Sequence, residues 1–227
     1  MSGVLAIKKK TALVVGATSL VGKELVKMLL ASNEYEKIIV WVRRSIGIEH
    51  RKLEEKKIDF AMLASYEFNE TIDHLYCCLG TTIKKAGTKE AFKEVDLRYP
   101  LIMARKAKIA GVLQFIIIST MGAAVNSNIF YNRVKGEMEE ALENLNLLGL
   151  HIVRPSLLLG KREEFRLGEQ LAAMVSAALP FLFTGTFKKY KPIPVETVAY
   201  AMYRVANQEI TGNHIYESDK LASLNKK

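Results

Sequence analysis

Short apolar runs, separated by longer stretches of helical periodicity, organise this chain. Thr11–Val15 (TALVV) is apolar and β-branched, too short for a helix and followed by a glycine, so it predicts a buried strand. A helix follows the turn at Gly16 and runs to about Leu30. Lys37–Val42 (KIIVWV) predicts a second strand, ended by Arg43 and Arg44. His50–Lys57 is polar and predicts at most one helical turn, whereas Lys57–Met62 (KIDFAM) predicts a third strand with Asp59 near its end. His74–Leu79, Phe115–Ile118 and Leu150–Val153 predict the fourth, fifth and sixth strands. Thr88–Ala110 and Tyr131–Leu145 carry helical patterns, and Pro100 should kink or split the first of them.

The last third is less regular. Glu169–Leu179 predicts a helix, Phe181–Lys191 a turn region, Val195–Ala206 a helix begun after Pro194, and Asn213–Glu217 a short edge strand. Strands alternating with helices predict an α/β fold, a doubly wound parallel sheet with helices on both faces. No repeat or composition break divides it, so one domain is expected, with a dinucleotide-binding core over about 10–160 and a substrate-side portion over about 161–217.

Composition narrows the partners. A length of 227 residues, 49% hydrophobic, supplies one sizeable core. The formal charge of +9 suits an anionic partner. No basic helix interleaved with aromatics and no zinc spacing occurs, which disfavours nucleic acid. Cys77 and Cys78 are the only cysteines, so a disulfide framework is excluded and a reducing, cytoplasmic setting is expected. Adjacent on a strand, they should point to opposite faces as small buried hydrophobes. The longest apolar run, Leu171–Phe183, contains Pro180 and falls short of a membrane span, and Met1–Ile7 is too short for a signal peptide. A monomer or homodimer is expected.

The candidate chemistry begins at the first turn. Gly16 sits where the strand must bend, and Gly22 lies in the first helical turn, where a missing Cβ allows close packing. The N–H groups of such a helix start suit a pyrophosphate. Ser19 stands where the G-x-x-G-x-x-G form of the fingerprint has its middle glycine. No acidic residue follows Val42. Arg43 and Arg44 take its place, either to accept a 2′-phosphate, which favours NADP over NAD, or as solvated surface arginines. Asp59 is placed to accept from the adenine amino group or to finish its strand at the surface. The turn Gly80–Thr82 leaves a strand at its carboxyl end and should line the cofactor cleft.

Tyr131 and Lys135, four apart at a helix start, project from one face. The hydroxyls of Ser119 and Thr120 leave the preceding strand at its ligand-facing end. This is a constellation for hydride transfer to a carbonyl. A phenol with pKa near 10 needs help to exchange a proton at neutral pH, and lowering it by about three units takes roughly 4 kcal/mol of favourable interaction, which a nearby ammonium helps to supply. A strand-end hydroxyl can orient the carbonyl and bond the developing oxyanion.

GATSLVG, the Arg-ended second strand, CCLGTTIKKAG, VDLRYP, IIISTMGA, YNRVK, VRPSLLLG and PIPVETVA together resemble the short-chain dehydrogenase/reductase superfamily. The resemblance is to its atypical branch of Tat-interacting-protein-type oxidoreductases, and it spans Lys10 to about Tyr216. It implies a Rossmann-like fold with NADP across the strand carboxyl ends, against Gly16, Thr18, Ser19, Leu20, Val21, Gly22, Leu79, Gly80 and Thr81. Tyr131 would be the acid/base, Lys135 would hold the nicotinamide ribose and tune Tyr131, and Thr120, with Ser119 as the alternative, would supply the hydroxyl. Pro155 and Ser156 match the loop beside the nicotinamide. Asp96 stands where many relatives have asparagine. The implied activity is a reductase or dehydrogenase of a small carbonyl or alcohol. The alternative is an NADPH-binding regulatory or scaffold protein with little or no turnover. Gly168–Leu179 and the loop through Lys191 are expected to cover the substrate pocket, with apolar walls and a basic rim.

Overall fold

The computed structural model describes residues 9–160 and 185–224, so the expected helix Glu169–Leu179 and pocket cover Gly168–Leu179 lie outside the described residues. The strands are β1 (Lys10–Val15), β2 (Tyr35–Val42), β3 (Leu53–Lys57), β4 (His74–Cys77), β5 (Gln114–Ile118), β6 (Gly149–Arg154), the two-residue β7 (Leu158–Leu159) and β8 (Ile193–Pro194), and β9 (Gly212–Glu217). Among the described residues seven of them form one parallel sheet in the order β3-β2-β1-β4-β5-β6-β9, and β7 pairs with β8 separately. The helices are α1 (Leu20–Ala31), α2 (Ile83–Ala86), α3 (Lys89–Lys93), α4 (Tyr99–Ile109), α5 (Phe130–Glu143), α6 (Val195–Ala206) and α7 (Ser218–Leu224).

Both faces of the sheet are covered, which is why its central strands read as unbroken apolar runs rather than alternating ones. On one face Ala12, Val14, Ile38 and Val40 meet Leu25 and Leu29 of α1 and Val198 and Met202 of α6. On the other, Leu13, Val15, Leu75 and Phe115 meet Met103 and Ala107 of α4 and Met138 and Leu142 of α5. Cys78 belongs to the first cluster and Cys77 to the second, as their adjacency predicts.

The third strand is a correction. It is β3, inside the stretch expected to be polar loop, with Leu53 to Lys57 in register with Ile38 to Val42. An edge strand needs few buried side chains, and its charges (LEEKK) protect the open edge from pairing with another chain. The KIDFAM segment does not continue it. Ile58 donates one more bond to Val42, and Asp59 then caps a 3₁₀ turn over Phe60–Ser65. Its apolar residues, Phe60 and Leu63, are buried by that turn rather than by a strand. The Thr88–Ala110 helix is split by Pro100 as expected, into α3, a π-helical turn over Glu94–Arg98, and α4.

Two buried histidines tie strands of the sheet together, His74 of β4 reaching Tyr35 of β2 across the intervening β1 and His151 of β6 reaching its neighbours β5 and β9. His74 Nδ1 and Tyr35 Oη are 2.7 Å apart, and Tyr35 Oη also lies 2.7 Å from Tyr76 Oη. His151 bonds Tyr216 Oη at 3.0 Å and Gln114 Oε1 at 2.6 Å.

Candidate cofactor and catalytic site

The turn from β1 to α1 is pressed against the end of β4. Gly16 has φ +81°, and a Cβ there would stand 2.4 Å from the carbonyl carbon and oxygen of Cys78. At Gly22 a Cβ would stand 2.3 Å from Gly16 O. Ser19, in the glycine's place, is the N-cap of α1: its Oγ accepts from Gly22 N at 3.1 Å, and its own N–H donates to Gly16 O at 2.9 Å. The hydroxyl is thus turned onto the helix. The first N–H groups of a helix lack intrahelical acceptors; Ser19 serves that of Gly22, and those of Leu20 and Val21 remain for an anion, with Thr18 exposed at the tip. Gly16→Ala combines a left-handed residue with a backbone overlap, so it should lower unfolding stability by about 3 kcal/mol. Urea unfolding within about 1 kcal/mol of wild type would contradict this close approach.

Beyond β2, Arg43 and Arg44 are exposed and make no hydrogen bond or ion pair among the described residues. Arg43 lies close enough to Tyr99 to oppose the upward push that burial gives that phenol. Asp59 commits Oδ1 to Ala61 N at 2.9 Å, so its observed task is capping the 3₁₀ turn. At the end of β4, Leu79 and Thr81 are half-buried and Gly80 is exposed. The Thr81 N–H donates to Asp96 Oδ2 at 2.8 Å.

Tyr131 and Lys135 lie on one face of α5. Lys135 is 3% exposed, with Nζ 2.9 Å from Asp96 Oδ1 and 3.4 Å from Ile118 O. The first contact is an ion pair without the alignment of a directed hydrogen bond. Burial pulls the Lys135 pKa down, but the charges of Asp96 and Tyr131 outweigh it, and the net direction is upward. The ammonium therefore stays charged. Tyr131 is half-buried, its ring centroid 5.6 Å from that of Phe92.

The loop after β5 is clamped to the same helix. Ala124 N donates to Asn132 O at 3.2 Å, and a Cβ on Gly136 would stand 2.3 Å from the Ala124 carbonyl carbon. Ser119 is buried at 4% exposure, donates its N–H to Val153 O at 2.7 Å, and has no partner for Oγ among the described residues. Thr120 is half-buried and spends its hydroxyl on Met121 O at 3.4 Å. Of the two strand-end hydroxyls, Ser119 is the one left without an acceptor or donor among the described residues.

After β6, Arg154 forks onto both carboxylate oxygens of the buried Glu139, tying the strand end to α5. Pro155 O accepts from Met121 N at 3.1 Å. Ser156 is fully committed: its N–H donates to Ser218 Oγ at 2.6 Å, and its Oγ donates to Lys191 O at 2.5 Å and accepts from Ser218 Oγ at 2.9 Å. Its side chain braces the loop, leaving a ligand only backbone and ring surface there. Beside Ser218 and Lys191 an open cavity of about 800 Å³ has Lys188, Lys191 and Lys220 in its walls against Asp219. Asn132, Gly136, Glu139 and the Asp96–Lys135 pair were not evident from the motifs; a glycine directly after Lys135 inside a helix was the one local signal.

The family model described as "NAD dependent epimerase/dehydratase family" matches residues 12–216. Protein HTATIP2 of Rattus norvegicus is 34% identical over 200 residues, covering 86% of this chain and 81% of the relative. Protein FMP52-1, mitochondrial, of Scheffersomyces stipitis is 36% identical over 157 residues, covering 67% of this chain and 69% of the relative. Among solved structures, the Bordetella bronchiseptica enzyme WbmH in complex with NAD+ superposes with a TM-score of 0.68 at 15% identity, over 92% of this chain and 75% of that one. That likeness is one of fold. Among the described residues no helix is long and apolar enough to cross a membrane.

Proposed function

The chain belongs to the NAD dependent epimerase/dehydratase family, on the atypical short-chain dehydrogenase/reductase branch with HTATIP2, and on that premise we propose that it is an NADP-dependent oxidoreductase acting on a small carbonyl or alcohol. One observation carries the reading. A charged, buried Lys135 stands one helical turn from a half-buried tyrosine, at the sheet end where Ser119 keeps a buried hydroxyl without a partner among the described residues.

The residues fit the cofactor. Gly16 and Gly22 let the turn close against Cys78 and on itself, where a Cβ would meet backbone, so that the N–H groups of Leu20 and Val21 are presented for a pyrophosphate, and Leu79–Thr81 and Pro155 would line the route to the nicotinamide. When bound, the cofactor supplies or accepts the hydride. For reduction, Tyr131 would give its proton to the carbonyl oxygen, leaving a phenolate beside the Lys135 ammonium. Lys135 would stabilise that phenolate and help to hold the nicotinamide ribose. Ser119 donates to the oxygen as its charge develops. The substrate enters from the side of the 800 Å³ cavity, whose lysines favour an anionic group.

Arg43 and Arg44, which make no hydrogen bond or ion pair among the described residues and stand at the end of β2 where an acidic residue would bind the ribose hydroxyl, support NADP over NAD. Wild type should bind NADPH at least tenfold more tightly than NADH, and Arg43→Ala should weaken NADPH by about 10- to 100-fold with NADH nearly unchanged, the scale of one charge-assisted contact. Calorimetric titration with both cofactors checks this, and equal wild-type affinities would overturn it. The free, buried Cys77 and Cys78 fit a reducing compartment, and we assign the protein to the cytoplasm. Cell fractionation distinguishes that from the mitochondrial location carried in the fungal relative's name.

A further inference from the structure

Between β2 and β3 the chain returns from the cofactor end of the sheet to the opposite end without a helix, because residues 43–52 form an irregular strap. Parallel neighbours are usually joined by a helix, which satisfies its own backbone. A strap cannot, so side chains must hold it. Here they do so at both ends. At the far end Lys52 Nζ donates to Ser32 O at 2.6 Å and to Leu30 O at 3.2 Å, where α1 ends. At the near end, directly after Arg44, Ser45 Oγ and Ile46 N both donate to Glu55 Oε2, at 3.0 and 2.9 Å. Ser45 Oγ accepts in turn from Gly47 N at 3.2 Å, and Gly47 bends the strap with φ +67°. Ile46 packs against the apolar cluster under α1. Glu55 stands on that face because it is in register with Val40, a member of the same cluster.

We propose that Glu55 is a positioning residue for cofactor choice: by clamping Ser45 and Ile46 it fixes the backbone just beyond Arg43 and Arg44 and holds the two arginines at the end of β2 for a 2′-phosphate. This role rests on the reading of the cofactor as NADP. Arginine side chains lose rotamer freedom when they bind a phosphate, and an unfixed backbone beneath them would lose more. Ordering that backbone beforehand removes the second cost and adds affinity without adding a contact. NADH brings no phosphate to the arginines, so NADPH alone gains. A carboxylate acting through its charge would do the reverse, since it repels a phosphate. The clamp and the bare charge therefore differ in the sign of their effect. Glutamine at this position separates them further, because it keeps an acceptor oxygen and loses the charge.

The test is calorimetric titration of wild type, Glu55→Ala and Glu55→Gln with NADPH and with NADH, beside amide exchange of Ile46 followed by NMR in the cofactor-free proteins. Glu55→Ala should weaken NADPH by about tenfold, the scale of a lost hydrogen bond to a charged group, and leave NADH within about twofold. Glu55→Gln should stay within about threefold of wild type on both, since its amide oxygen can take the two donors. The Ile46 amide should exchange about tenfold faster in Glu55→Ala and near the wild-type rate in Glu55→Gln. NADPH bound by Glu55→Ala as tightly as by wild type, or more tightly, would overturn the clamp. So would equal losses for both cofactors, which mark a general disturbance of the fold, or an Ile46 amide that exchanges no faster. A Glu55→Gln as weak as Glu55→Ala would count against it as well. Equal wild-type affinities for NADPH and NADH would defeat the NADP reading and this role with it. A wild type that prefers NADPH, beside a Glu55→Ala that prefers it as much, defeats the role of Glu55 alone.

Discussion

Tyr131→Phe should reduce carbonyl turnover by about 10²- to 10⁴-fold, the range of a lost general acid, while NADPH affinity changes by less than about twofold. The prediction is sharp because the substitution removes so little else. The phenylalanine ring keeps the 5.6 Å contact with Phe92, and the hydroxyl makes no hydrogen bond among the described residues whose loss would disturb the fold. Lys135→Ala should behave differently, damaging both turnover and NADPH binding. It should also cost stability on the order of 3–5 kcal/mol, because Asp96 would be left buried without its counter-charge. Steady-state kinetics with a carbonyl that wild type reduces, together with fluorescence titration of NADPH, reads all three effects. Wild-type turnover in Tyr131→Phe would remove the catalytic assignment. Tight NADPH binding without turnover of any carbonyl would install the regulatory reading in its place.

Acid should unfold this protein, and two histidines set the window. His74 and His151 are both 0% exposed. Burial is the main cause that holds His74 down to about 3, with Lys10 adding repulsion, and it holds His151 down to about 4, with His214 adding repulsion. In the unfolded chain each returns to the ordinary value near 6.5. Between pH 6.5 and the folded values the unfolded state thus binds more protons than the native state, so stability falls as pH falls. The slope is about 1.4 kcal/mol per pH unit for each histidine, and the pair removes on the order of 5 kcal/mol between pH 6.5 and 4.5. That is comparable to the whole stability of many domains. Above pH 6.5 the contribution is fully present and the slope from these groups vanishes. Urea midpoints across pH 4–8 measure it, and His74→Gln/His151→Gln should flatten the profile by close to two protons. An unchanged slope in that double variant would show that other groups carry the acid sensitivity.

The parallel sheet was legible because burial on both faces makes strands into apolar runs, and those runs need no tertiary information to be seen, whereas their order around β1 came from the structure. The α6 boundaries, Val195–Ala206, were legible for a related reason: Pro194 stops the preceding chain, and one continuous apolar face follows. β3 was not legible. Its residues are charged because the edge of a sheet asks for backbone pairing without burial, and pairing with Ile38–Val42 is a long-range event that side-chain pattern does not encode. The same absence of neighbours misplaced the apolar residues of KIDFAM, which a 3₁₀ turn buries just as well as a strand.

At the site, the chain determined its chemistry locally. A glycine where φ must be +81°, a tyrosine and a lysine one helical turn apart, and hydroxyls at a strand end are all properties of short segments. What only the tertiary structure decided is which groups those residues meet. Among the described residues Ser119 rather than Thr120 keeps an unpartnered hydroxyl, Ser156 is spent as a brace to Ser218 and Lys191, and Asp96 reaches Lys135 across 39 positions of sequence. Those outcomes depend on burial and on distances between distant segments, and burial is what gives an ion pair or an orphaned hydroxyl its energetic weight.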